Sequence, residues 1–351
     1  MPQLDALRGL AILWVIAHNT TEKFGTVGWL HPLLDRGWVG VELFFALSGF
    51  LITGILLDTK GSAGYFGNFY ARRVLRILPL YYTVLVIMFL VLPRLSAAEG
   101  ASVFEKSSPW WAFPLFLQNF LLPLSTKAAG PLGVTWSLAI EEQFYLVWPL
   151  VVWCLSPRRL AALAILDVVL SPFVRFYLSI HGASLYVNIF SRLDGLMLGA
   201  LIAISVRREN FRTEKFVALA GWIFCVATPL AILTDLMGLG WIMYSFAALA
   251  SGAVLYLILF WNVQWLQLVL SNRLLLFAGT ISYGLYLLHK FSFATVGALH
   301  IDGGKHPLVA LALVILTSYP LALLSWIVLE RPALRLKKYF SATHPQQSPN
   351  A

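Results

Sequence analysis

The first apolar segment of the chain reads Leu4-Asp5-Ala6-Leu7-Arg8-Gly9-Leu10 and runs on through Ile12-Leu13-Trp14-Val15-Ile16-Ala17 to His18. A guanidinium and an imidazole in a stretch otherwise fit for lipid are expensive to bury, and such residues default to function. Helical rise sets His18 about 15 Å from Arg8, nearer the opposite face of a membrane. Glu42 follows Trp38, and Glu141 and Glu142 follow Trp136, near the start of two further apolar segments. Counted the same way, Glu42 lies about 6 Å below the outer face, with the glutamate pair at a comparable depth. A carboxylate beside an imidazole fixes its tautomer and stabilises the imidazolium, which makes a base able to remove a proton from a hydroxyl. His18 with Glu42, Glu141 or Glu142 is therefore the candidate catalytic set. The competing reading is a polar pairing that holds helices together.

On the other side stands Tyr70-Ala71-Arg72-Arg73-Val74-Leu75-Arg76-Ile77-Leu78-Pro79, in which Arg73 and Arg76 share one helical face at the membrane surface. Paired guanidinium forks match phosphate oxygens, although an arginine cluster that merely fixes a loop's side has the same composition. Arg8 lies at the same level. A phosphate-rich donor held by Arg8, Arg73 and Arg76 needs an arm of about 15 Å to reach His18, and the pantetheine arm of coenzyme A is long enough.

The elements that carry these groups follow from composition. Of 351 residues 59% are hydrophobic and 12% charged, half the charged share of about 25% usual for soluble domains. Apolar runs at 8–24, 38–57, 77–93, 136–155, 160–178, 191–206, 216–235, 241–261, 275–298 and 307–329 predict an all-α integral membrane protein of about ten transmembrane helices. The aromatic stretch 110–124, interrupted by Pro114 and Pro123, is expected to be re-entrant or interfacial. No small-residue cleavage site follows the first run, so it is expected to be retained.

With both termini cytoplasmic, most Lys and Arg lie inside, and only Lys23, Arg36, Arg94, Lys106, Lys127 and Lys305 fall in outer loops. The net charge of +9 is then a topogenic signal that also attracts anionic lipid, and it needs no nucleic-acid partner. Cys154 and Cys225 offer neither a disulfide framework nor a metal cluster, so no metal is expected. One membrane domain over 1–340 and a disordered tail over 341–351 complete the expected organisation.

At these residues the chain resembles the membrane acyltransferase-3 family. The resemblance rests on the Leu4–Leu10 motif with His18, Gly40-Val41-Glu42-Leu43-Phe44-Phe45-Ala46-Leu47-Ser48-Gly49-Phe50-Leu51-Ile52-Thr53 and Phe69-Tyr70-Ala71-Arg72-Arg73-Val74-Leu75-Arg76. It continues through Thr135-Trp136-Ser137-Leu138-Ala139-Ile140-Glu141-Glu142-Gln143-Phe144-Tyr145, Asp194-Gly195-Leu196-Met197-Leu198-Gly199, Ser282-Tyr283-Gly284-Leu285-Tyr286-Leu287-Leu288-His289 and Glu330-Arg331-Pro332. The resemblance implies a membrane O-acyltransferase, in its stand-alone form without a fused hydrolase-like domain. Such an enzyme moves an acyl group, most often acetyl, from cytoplasmic acyl-CoA to a hydroxyl of an extracytoplasmic glycan, glycolipid or secreted small molecule, and a bacterial inner membrane is implied with it. It also implies catalysis at His18 and Arg8 and a donor-side role for Arg73 and Arg76.

In one place the chain departs from that pattern. The family usually sets ten residues between the arginine and the histidine; here Gly9 to Ala17 gives nine, which puts Asn19 in the expected slot. Because one residue is about 100° of rotation, His18 faces differently or the helix carries a local bulge. Asn is no general base, so either the register shifts to present His18, which is the expectation, or this member is impaired. Glu42 stands where aspartate is common. The rival function is a transporter or flippase for a lipid-linked sugar, which also buries His, Glu and Arg but predicts inverted repeats, and none is evident.

Overall fold

The computed structural model describes residues 1–25, 28–95, 109–121, 126–207, 211 and 213–340. Lys106, Arg208, Arg212, residues 122–124 and the tail 341–351 lie outside them. Among the described residues the chain is helical, with no β-strand. α1 (Pro2–Phe24) opens with proline in its first turn, where the missing N–H costs nothing. Short turns over 28–38 lead into α2 (Val39–Thr59), followed by α3 (Tyr65–Val86), which a π-turn (Ile87–Val91) extends. Next come α4 (Thr135–Cys154), α5 (Pro157–Ile180), α6 (Leu193–Ser205), α7 (Glu214–Leu236) and α8 (Gly240–Phe260). α9 (Arg273–Thr280), α10 (Ser282–Leu288) and α11 (Pro307–Ser325) complete the bundle, and a π-turn (Trp326–Glu330) continues α11.

By length and composition six helices are apolar enough to cross a membrane, and seven if the pair bent by 65° at Ile281 counts as one span. These are the apolar helices of an integral membrane protein. α1 and α4 are not among the six, since Arg8, His18 and Asn19 in one and Glu141, Glu142 and Gln143 in the other lower their hydropathy. Each expected apolar run falls on helix, with three differences. The helix carrying 77–93 begins already at Tyr65, so Arg73 and Arg76 lie within it. The run 191–206 yields only the thirteen residues of α6. The run 275–298 is broken at Ile281. In 109–121 the helical pieces are three and four residues long, Trp110–Ala112 and Gln118–Leu121, too short to span.

Small residues decide which helices touch. α1 lies along α9, where a side chain on Gly9 would run into the Leu275 carbonyl and one on Gly279 into the Asp5 carbonyl. α2 lies along α6 through Gly49 and Gly199 in the same way. Close backbone approach of this kind is how helices associate where lipid supplies no hydrophobic drive. Gly37 presses on the Trp14 carbonyl and His18 Cβ, and Gly40 on the Ala11 carbonyl, which fixes the entry of α2 against α1. In α2 and in α8 67% of the apolar stretch is buried, against 11% in α7, so α2 and α8 lie inside the bundle and α7 at its edge. Tyrosines lace the elements together: Tyr81 donates to the Phe113 carbonyl, Tyr65 to that of Pro149 and Tyr283 to that of Ile77.

Candidate functional site

Two cavities lie at opposite ends of α1. The first, of about 260 Å³, is lined by Arg8, Arg73, Arg76, Ser48, Glu141 and Tyr145 among others. Its arginines come from the second turn of α1 and the middle of α3. Arg8 Nη1 lies 2.7 Å from Asp5 Oδ1. The Arg73 guanidinium sits over the Tyr145 and Phe69 rings at 5.5 and 5.7 Å. Ser48 Oγ donates to Glu141 Oε1 at 2.6 Å and lies 2.5 Å from the Tyr145 hydroxyl. A serine hydroxyl has one proton, so the tyrosine donates to the serine and the serine to the carboxylate. Three guanidiniums against one lining carboxylate make this chamber cationic, suited to phosphate oxygens. Arg8 and Arg76 also border an adjoining cavity of about 210 Å³ with Glu330, whose Oε1 accepts from Ser325 Oγ at 2.8 Å.

The second cavity, of about 370 Å³, is lined by His18, Asn19, Glu22, Trp38, Tyr244 and Lys290 among others. α1 is regular through His18 with no bulge, so of the two ways of presenting His18 the bulge is not used, and the spacing of nine puts both His18 and Asn19 on the cavity wall. They differ in occupation. Asn19 Nδ2 is tied to the Val15 carbonyl at 3.0 Å, while His18 Nδ1 has no hydrogen-bond partner. The charged side chains that face His18 are Glu22 and Asp35 and, with the opposite sign, Lys290 on the same cavity wall.

The expected carboxylate partners of His18 are engaged elsewhere. Glu42 Oε1 lies 2.6 Å from Arg192 Nη2, both side chains almost wholly buried. Arg192 is ringed by Tyr244, Tyr186, Trp136, Phe45 and Trp38 at 4.3 to 6.0 Å. Asp194 is 2.9 Å from Arg175, and Arg175 also bonds the Ser191 and Trp241 carbonyls. Glu141 points at α2 and the arginine chamber because its position on α4 faces Ser48. Glu142, about 100° further round, lines neither of the two cavities, and its Oε1 is buried without a hydrogen-bond partner. His289 is buried, with Nδ1 against its own helix's carbonyls.

Glu22 was legible as the residue four beyond His18 on the same helix face. The Ser48–Glu141 link joins residues far apart in sequence and had no local signal. Among the described residues no group of three or more His, Cys, Asp or Glu is placed to hold a metal.

Two tracts quoted for the resemblance, Gly40–Thr53 and Thr135–Tyr145, thus wall both cavities, and residues 1–329 match the acyltransferase domain of that family. The chain belongs to the acyltransferase-3 family. It is 28% identical over 318 residues to the peptidoglycan O-acetyltransferase OatA of Listeria monocytogenes, covering 82% of this chain and 49% of that protein. A Bacillus subtilis protein named as a peptidoglycan O-acetyltransferase, YrhL, is 30% identical over 327 residues, covering 82% of this chain and 48% of that one. A Staphylococcus aureus protein named as an O-acetyltransferase is 28% identical over 331 residues, 86% of this chain and 52% of its own. The chain spans about half the length of these relatives. No solved structure matches it.

Proposed function

We propose that this acyltransferase-3 chain is a membrane O-acetyltransferase that takes an acyl group, acetyl above all, from cytoplasmic acyl-CoA and delivers it to an extracytoplasmic hydroxyl. The observation that carries the reading is the pair of opposed cavities, one with Arg8, Arg73 and Arg76, the other with His18, which meet at Val41 and Tyr286. In this account the chain crosses the membrane about ten times with both termini cytoplasmic, in a bacterial inner membrane. The arginines bind the donor's phosphates, and the pantetheine arm spans the distance to the partition.

His18 is the general base. Its neutral imidazole takes the proton of the acceptor hydroxyl while Glu22 and Asp35, rather than Glu42, Glu141 or Glu142, stabilise the imidazolium. The hydroxyl oxygen bonds to the thioester carbonyl carbon, the carbon–sulfur bond breaks, and the proton passes from His18 to the departing coenzyme A thiolate. Glu42 is assigned to holding α2 against α6, and Glu141 to orienting the donor chamber through Ser48. The names of the relatives make a cell-wall glycan the first acceptor to try, ahead of a glycolipid or a secreted small molecule.

The test is transfer of label from radiolabelled acetyl-CoA to cell-wall glycan fragments by the purified protein in detergent. Label in the glycan with wild type and none with His18→Ala supports the assignment. Failure of the wild type to bind coenzyme A or to release it from acetyl-CoA contradicts it and favours the sugar flippase.

A further inference from the structure

Val41 on α2 and Tyr286 on α10 line both cavities. They form the partition between the arginine chamber and the His18 chamber. Tyr286 is held in place at its tip: its hydroxyl lies 2.6 Å from Ser137 Oγ and donates to the Val134 carbonyl at 3.0 Å. Its ring also meets Phe44 edge-on, centroids 6.2 Å apart. Opposite it, Val41 is 4% exposed, on a helix pressed against α1 at Gly40. Both sides of the partition are therefore fixed, one by hydrogen bonds and the other by backbone packing.

We infer that Val41 and Tyr286 form the aperture through which the acyl group meets the acceptor, and that its width selects a short acyl chain. The inference rests on the transfer reading above and adds to it the residues that set acyl length. A single methylene in an apolar pocket is discriminated by about 10–200-fold, so a change of one or two carbons at Val41 is enough to move the preference. Neither residue exchanges a proton in the reaction; they are specificity-determining walls.

The experiment compares kcat/KM for acetyl-, propionyl- and butyryl-CoA in the intact protein, with one glycan acceptor, for wild type, Val41→Ala, Val41→Ile and Tyr286→Phe. Val41→Ala is expected to raise the butyryl-to-acetyl ratio about tenfold or more, and Val41→Ile to lower it. Tyr286→Phe, which removes both hydrogen bonds but keeps the ring, is expected to shift it the same way as Val41→Ala. A merely structural role would lower all three substrates together and leave the ratio alone. If wild type transfers acetyl and both Val41 variants leave the ratio within about twofold, against that scale of discrimination, the aperture is wrong and the transfer reading stands. If wild type transfers no acyl group from any of the three, both fall.

Discussion

Glu42 and Arg192 form an ion pair of 2.6 Å in the bundle interior, the guanidinium enclosed by five aromatic rings. Charges taken out of water are tolerable only when paired, and removing one partner strands the other. Glu42→Gln is therefore expected to cost about 3–5 kcal/mol of stability, read as a lower unfolding temperature in detergent. The double replacement Glu42→Leu with Arg192→Met is expected to recover much of that loss. A Glu42→Gln protein that melts like wild type but transfers nothing would return Glu42 to the chemistry.

Arg73 and Arg76 are assigned to the donor. Arg76→Gln is expected to weaken coenzyme A binding at least tenfold, about 1.4 kcal/mol, with a smaller salt dependence than wild type because one charge-assisted contact is gone. Titration calorimetry at two ionic strengths checks it. Unchanged affinity would leave the cluster as a topogenic anchor.

The Ser48 hydroxyl stands between Tyr145 and Glu141. Ser48→Ala removes the carboxylate's donor and leaves a buried acceptor unsatisfied, a penalty of about 1–3 kcal/mol. Its expected signature is a lower unfolding temperature together with a raised KM for acyl-CoA, since Glu141 lines the arginine chamber proposed to hold the donor. A change in acceptor KM alone would contradict that placement.

Helix contact at Gly199 sets the position of α6 against α2. A methyl there would meet the Ala46 carbonyl, so Gly199→Ala must push the backbones apart. We expect a fall in unfolding temperature larger than for Gly221→Ala, whose added carbon meets nothing within 4 Å.

Much of this arrangement was legible in the sequence. Arg8, Arg73 and Arg76 were expected at one level and share a cavity, because helical rise translates sequence separation into depth. Depth was readable for the arginines but not for Glu141, which was expected in one layer with His18 and lies in the arginine chamber at the other end of α1; azimuth was not readable. Glu42 and His18 were expected in one layer, yet Glu42 faces α6 and Arg192 while His18 faces the second cavity, and no spacing on α1 or α2 gives the rotation of one about the other. The π-turn that follows α11 and ends at Glu330, and the break at Ile281, likewise follow from tertiary packing. Nor does the sequence mark which of Arg175 and Arg192 takes Asp194 and which takes Glu42.

The most direct test uses sealed inside-out vesicles with radiolabelled acetyl-CoA outside and cell-wall glycan fragments in the lumen, for wild type, His18→Ala and Asn19→Ala. The account predicts label in lumenal glycan with wild type and Asn19→Ala, none with His18→Ala, and a wild-type rate that falls toward acid pH as the imidazole is protonated. Lumenal label with His18→Ala at the wild-type rate, or its loss with Asn19→Ala alone, would contradict it.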